Sequence, residues 1–242
     1  MKLFFSWRGK IDLRTGRVLT AISAVLMSCA LAATASAQSN SGSHSQFQPP
    51  IPDELSKARF EELLKPGALP ELQVGEKTAP IIIVGYTSVS CGLCGHFERK
   101  ILPQLTSKYI EPGVVRLVVR TFPLDRIAAA GAMLTRCVKP EDNYKFHSEL
   151  LKRQADWLTQ KGEDLRGGLV KIFKEFGGTA KEFDACLGQQ EILQKVMRVR
   201  NRAHGSFGVI ETPTFFINGK PLVNPRSMDD FEKIVRTMLK TQ

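Results

Sequence analysis

The stretch Ile81-Ile82-Ile83-Val84-Gly85-Tyr86-Thr87-Ser88-Val89-Ser90-Cys91-Gly92-Leu93-Cys94 decides the fold, because an apolar run of strand length feeds a CxxC where a helix should begin. Beyond it Leu93, Phe97, Ile101 and Leu105 recur every four residues, the stripe of a helix that packs on a sheet, with a kink expected at Pro103. A helix N-terminus offers unpaired N–H groups and about half a positive charge, which favours thiolate over thiol. Cys91 is therefore expected to attack and Cys94 to resolve, as a dithiol redox centre. Two thiolates at this spacing also form half of a zinc site or hold a soft metal such as copper(I). A second half is missing: Cys137 and Cys186 are isolated, His44, His96, His147 and His204 show no paired spacing, and no metal ligand set is assigned.

Working outward, Val114 to Arg120 reads as a second buried strand, reached through the helix as a β-α-β crossover between parallel strands. From Ile127 to roughly Arg202 the pattern is helical, with apolar spacings over Ala128–Val138, Tyr144–Leu158, Leu165–Phe176 and Ile192–Val199. Lys139-Pro140, Gly167-Gly168, Gly177-Gly178 and Gly188 break it. The sheet resumes at Thr214 to Ile217, turns at Asn218-Gly219, passes Pro221-Leu222-Val223 and gives way to a helix over Ser227–Leu239. One α/β domain (72–126 and 203–242) with an inserted helical block (127–202) follows. Before it, Gln38 to Pro50 reads as a flexible tether, and Pro52 to Lys65 as a short helix beginning near Asp53 that could dock or oligomerise, so that 38–71 is a flexible N-terminal segment with a short helix.

Residues 1–37 read as a secretory signal peptide: Lys2, Arg8, Lys10, Arg14 and Arg17 precede the apolar Val18 to Ala33, and Ala35-Ser36-Ala37 offers the cleavage site. An uncleaved anchor and acylation at Cys29 are the alternatives. The expected location is the periplasm, where disulfides persist. The net charge of +10 drops to about +6 without this segment, and the remaining basic residues are spread along helices with no aromatic-basic motif, so no nucleic-acid partner is expected. The mature chain keeps four cysteines. With Cys91 and Cys94 as the reactive pair, Cys137 and Cys186 either pair across a loop of about 50 residues or remain buried thiols.

Downstream, Thr212-Pro213-Thr214-Phe215-Phe216-Ile217-Asn218-Gly219 resembles the cis-Pro loop of the thioredoxin superfamily. With the CxxC and the inserted helices, the chain from 72 to 240 is similar to the DsbA-like thiol:disulfide oxidoreductases of bacterial envelopes. Also carrying the likeness are Gly75 with Ala79-Pro80, Arg116 to Arg120 with Phe122-Pro123-Leu124, and Gly208. The resemblance implies a thioredoxin-like fold with an inserted helical domain, Pro213 facing the CxxC, and a Thr212 backbone that pairs with an extended substrate. It also implies that Cys137 and Cys186 form a second, structural disulfide. There are departures. Gly85 and Ser88 stand where the family often carries acids, leaving Glu98, four residues after Cys94, as the remaining proton acceptor or else a solvent-facing residue. Glu211 beside Thr212 should raise the Cys91 pKa. His96 is assigned to surface or packing.

The expected activity is introduction of disulfides into exported proteins. A disulfide isomerase or reductase is the alternative, followed by a copper(I)- or peptide-binding envelope protein. No cofactor is expected; the partners implied are exported Cys-containing clients and a membrane redox partner, with a monomer favoured.

Overall fold

The computed structural model describes residues 51–159 and 162–240; the signal segment, Cys29 and the tether before residue 51 lie outside them. Five strands, β1 (Leu72–Val74), β2 (Ile81–Thr87), β3 (Val115–Thr121), β4 (Thr214–Ile217) and β5 (Lys220–Val223), form one sheet in the order β1-β3-β2-β4-β5. β2 and β3 run parallel, from Ile81 against Val115 to Thr87 against Thr121, and the remaining pairs are antiparallel. The register positions the chemistry. β4 starts with Thr214 opposite Tyr86, so Pro213 falls at the same end of the central strand as the CxxC that follows β2.

Side chains along the central strands alternate between two apolar layers, as the period of two requires. Ile81, Ile83, Leu117 and Phe215 pack with Phe97, Leu105 and Phe231, whereas Val84, Tyr86, Val118 and Phe216 pack with Leu63, Phe122 and Phe207. Gly85 belongs to the first layer, where a Cβ would sit 2.7 Å from the Phe215 ring. A larger residue at this position would displace the buried phenyl ring.

α1 (Lys57–Leu64) starts at the Ser56 cap, whose hydroxyl accepts the Arg59 N–H, and not near Asp53. The part of the flexible segment that is described is tied down: Leu63 is wholly buried on the sheet, and Arg120 from β3 bonds the Leu63 and Lys65 carbonyls and Glu71. After β2 the chain continues as α2 (Gly92–His96), a π turn (Phe97–Ile101), α3 (Leu102–Leu105) and a second π turn (Thr106–Ile110). The helical turns continue through Pro103, where a kink was expected. The preceding wide turn, in which Leu102 N–H reaches the Phe97 carbonyl, takes up the disruption that a ring and a missing N–H would impose on a regular α-helix.

The helical block comprises α4 (Arg126–Leu134), a 3₁₀ turn (Pro140–Asp142), α5 (Asn143–Lys152), α6 (Gln154–Trp157), α7 (Gly162–Glu175), α8 (Ala180–Leu187) and α9 (Gln190–Phe207). The single run expected over Tyr144–Leu158 is two helices, parted at Arg153. α8 escaped the apolar periodicity, yet a capping box announces it: Thr179 caps the Glu182 N–H and the Glu182 carboxylate accepts the Thr179 N–H. α9 spans the expected boundary at 202/203 without a break. Its Val196 and Val199 lie in the core of the helical block, and Ala203 and Phe207 in the sheet core, so one helix serves both. α10 (Met228–Lys240) closes the sheet.

Candidate active site

Cys91 caps α2. It has extended backbone angles, φ −83° and ψ 119°, and its sulfur accepts the Cys94 N–H at 3.3 Å, the place that a Ser or Asp oxygen takes in an ordinary cap. From the other side the sulfur reaches the Thr212 carbonyl at 3.2 Å, across the Thr212–Pro213 cis peptide bond that β4 holds beside it. Cys94 is wholly buried and its sulfur takes the Ser88 N–H at 3.5 Å. The two sulfurs are unbonded.

The electrostatics separate the two thiols. Cys91 falls from 9.0 to about 6, first through the hydrogen bond from the Cys94 thiol, against burial, and then through the Thr212 side chain and the N–H groups of Cys94 and Leu93. Cys94 is pushed well up, chiefly by burial and then by Cys91. The Thr212 hydroxyl has no hydrogen-bond partner among nitrogen and oxygen atoms and acts on both sulfurs. A partly exposed thiolate supported by a protonated, buried neighbour is an arrangement suited to thiol exchange.

Other residues marked in the sequence fall differently. Glu211 is not among the largest influences on Cys91, and its carboxylate accepts from Asn224 Nδ2. Glu98 is not solvent-facing. It is 4% exposed and accepts a hydrogen bond from the Ser148 hydroxyl, while burial raises its pKa from 4.5 to about 7. Among the described residues no hydrogen bond joins it to Cys94; the helix changes to a π turn at Phe97, which alters the phase that i, i+4 spacing assumes. His96 bonds the Arg226 carbonyl at 3.0 Å. Cys137 and Cys186 form a disulfide between the end of α4 and α8. Among the described residues no group of three or more His, Cys, Asp or Glu could hold a metal ion.

Sequence reasoning missed what the helical block brings beneath the pair. His147 meets the Thr87 hydroxyl at 3.0 Å, and burial lowers its pKa to about 3. The Gln154 side-chain amide donates to the Val89 and Cys91 carbonyls, each at 2.8 Å. Neither residue stands in a local motif, so no signal in the sequence marks them.

Comparison with known proteins follows this geometry. A family model described as Thioredoxin matches residues 68–237. A Rickettsia felis protein named "Putative protein-disulfide oxidoreductase" is 29% identical over 174 residues, which cover 71% of this chain and 61% of that protein. The chain thus spans about three fifths of the length of the first curated relatives that it matches. Disulfide bond formation protein D of Bacillus subtilis is 24% identical, covering 69% of this chain and 76% of that protein. The crystal structure of α-DsbA1 from Wolbachia pipientis superposes with a TM-score of 0.65 at 26% identity, over 75% of this chain and 98% of the other.

Proposed function

The chain belongs to the thioredoxin family, and from that premise we propose that it is a DsbA-like thiol:disulfide oxidoreductase that donates the Cys91–Cys94 disulfide to exported proteins in the periplasm. The observation that carries this reading is the contrast between the two thiols, Cys91 lowered to about 6 and Cys94 raised. A disulfide is more oxidising the more its reduced form is stabilised, and the stabilised thiolate is the reduced form's share of that stability.

In the oxidised protein a client thiolate attacks the Cys91 sulfur. The Cys91–Cys94 bond breaks, its electron pair passes to Cys94, and that buried sulfur takes up a proton. The client's second thiolate then attacks the client sulfur of the mixed disulfide, and Cys91 leaves as thiolate. The client loses two electrons and two protons in total, and the Cys91–Cys94 pair gains the two electrons. Reoxidation falls to a partner, which we take to be a membrane redox protein. Ile210, 46% exposed just before the Thr212 carbonyl, offers an apolar contact to a bound client segment.

The test is the reduction potential in glutathione buffers. A value near or above about −150 mV is expected, and a value below about −220 mV would replace this reading with a reductant or isomerase held reduced.

A further inference from the structure

Apart from apolar packing around Cys94, the helical block meets the chain at the reactive pair through the polar side chain of Gln154. α6 is a single turn, held by Trp157, which is wholly buried and donates its indole N–H to the Leu150 carbonyl at 3.0 Å, and by ion pairs from Arg153 to Asp156 and Glu175. This turn sets Gln154, only 6% exposed, against the chain that carries Cys91. The amide nitrogen has two hydrogens and two acceptors, the Val89 carbonyl and the Cys91 carbonyl, each at 2.8 Å. The second of these also accepts the Gly95 N–H at 3.1 Å, the bond that opens α2. A Cβ on Gly95 would lie 2.0 Å from Gln154 Oε1, so the approach requires a residue without a side chain there.

We infer that Gln154 is a positioning residue for the reactive thiolate, holding the carbonyls on both sides of Ser90-Cys91 so that Cys91 keeps the extended cap conformation that aims its sulfur at the Cys94 N–H. Two consequences follow. The fixed backbone preserves the cap hydrogen bond, and the amide hydrogen offsets the partial negative charge of the carbonyl nearest the sulfur. The helical block is then part of the redox centre as well as its cover. This inference rests on Cys91–Cys94 being the exchanging pair.

The test compares wild type with Gln154→Leu, which has no donor, Gln154→Glu, which keeps the size and offers at most one hydrogen, and Phe173→Leu, which thins the same core where its ring packs on Phe146 and Phe183. Two quantities are read: the pH midpoint of thiolate absorbance and the equilibrium constant with glutathione. Both Gln154 variants should raise the midpoint and shift the equilibrium toward the protein disulfide, by about tenfold for each unit of pKa. Phe173→Leu should lower thermal stability and leave both readings at their wild-type values. Unchanged readings in Gln154→Leu and Gln154→Glu overturn the inference, as does an equal shift in Phe173→Leu. Failure of wild type to exchange with glutathione would instead overturn the reading of the pair.

Discussion

Cys91 and Cys94 stand three residues apart where a strand hands over to a helix; Cys137 and Cys186 stand 49 apart, at the end of α4 and inside α8. The first pair is unbonded, with one sulfur partly exposed and taking an N–H from the helix start. The second is bonded, with Cys186 buried in the apolar core of the helical block. The same residue type thus stands in two states, and the surroundings divide them. A helix start and a protonated neighbour stabilise a thiolate at Cys91 and so favour exchange, whereas neither Cys137 nor Cys186 caps a helix, and Gln189 Nε2 stands 4.0 Å from the Cys137 sulfur.

The sharpest way to break this contrast is to exchange the roles. Cys91→Ser should abolish disulfide transfer to a reduced client, and Cys94→Ala should accumulate mixed disulfides visible on non-reducing gels. Retention of turnover in Cys91→Ser would end the division of labour. Alkylation of reduced protein tests the electrostatic half: the Cys91 rate should rise with pH and level off above a midpoint near 6. Because the folded pKa lies below the unfolded one, the reduced protein gains stability above the unfolded value and loses it as pH falls through about 6, a slope that the oxidised protein should lack.

Removing the second pair with Cys137→Ser and Cys186→Ser should cost about 4 kcal/mol by the chain-entropy estimate for a loop of 49 residues, read by urea unfolding. The potential of Cys91–Cys94 should not move. A shift in that potential would show that the two pairs are coupled after all.

The smallest effect concerns the polar groups that the helical block buries near the first pair. Glu98 titrates at about 7 when folded, so its contribution to stability is lost as pH rises through that value. His147, lowered to about 3, works in the other direction, with stability lost as pH falls below about 6.5. The two slopes oppose each other between about pH 4.5 and 6.5. Glu98→Gln keeps an acceptor for Ser148 and should stabilise the protein at pH 8 by up to about 3 kcal/mol. It should also uncover the His147 slope in acid; a flat acid limb in that variant would refute the pairing of the two.

Much of the sheet was legible because its signals are local. The runs Ile81–Val84 and Val115–Val119 carry strand patterns within seven residues, and the Thr-Pro followed by Asn-Gly marks β4 and its turn. The misreadings occurred where a local signal was weak or was overruled. Asp53 gave way to Ser56 as the cap of the helix that buries Leu63 on the sheet. Glu98 could be read from the sequence as an acid beside Cys94 or as a solvent-facing residue, and what settles its burial is a helix some 50 positions away, from which Ser148 reaches it.

The sequence by itself determined the strand, the turn and the cap that hold the Cys91 sulfur at a helix start, since all the atoms involved lie within the 14 residues from Ile81 to Cys94 and follow from strand pattern and helix-end chemistry. Only the tertiary structure decided which group faces that cap. Thr212 comes from 121 residues downstream, Gln154 from 63, and Cys186 reaches Cys137 across 49, and each of these meetings depends on how distant elements pack together and not on any pattern along the chain.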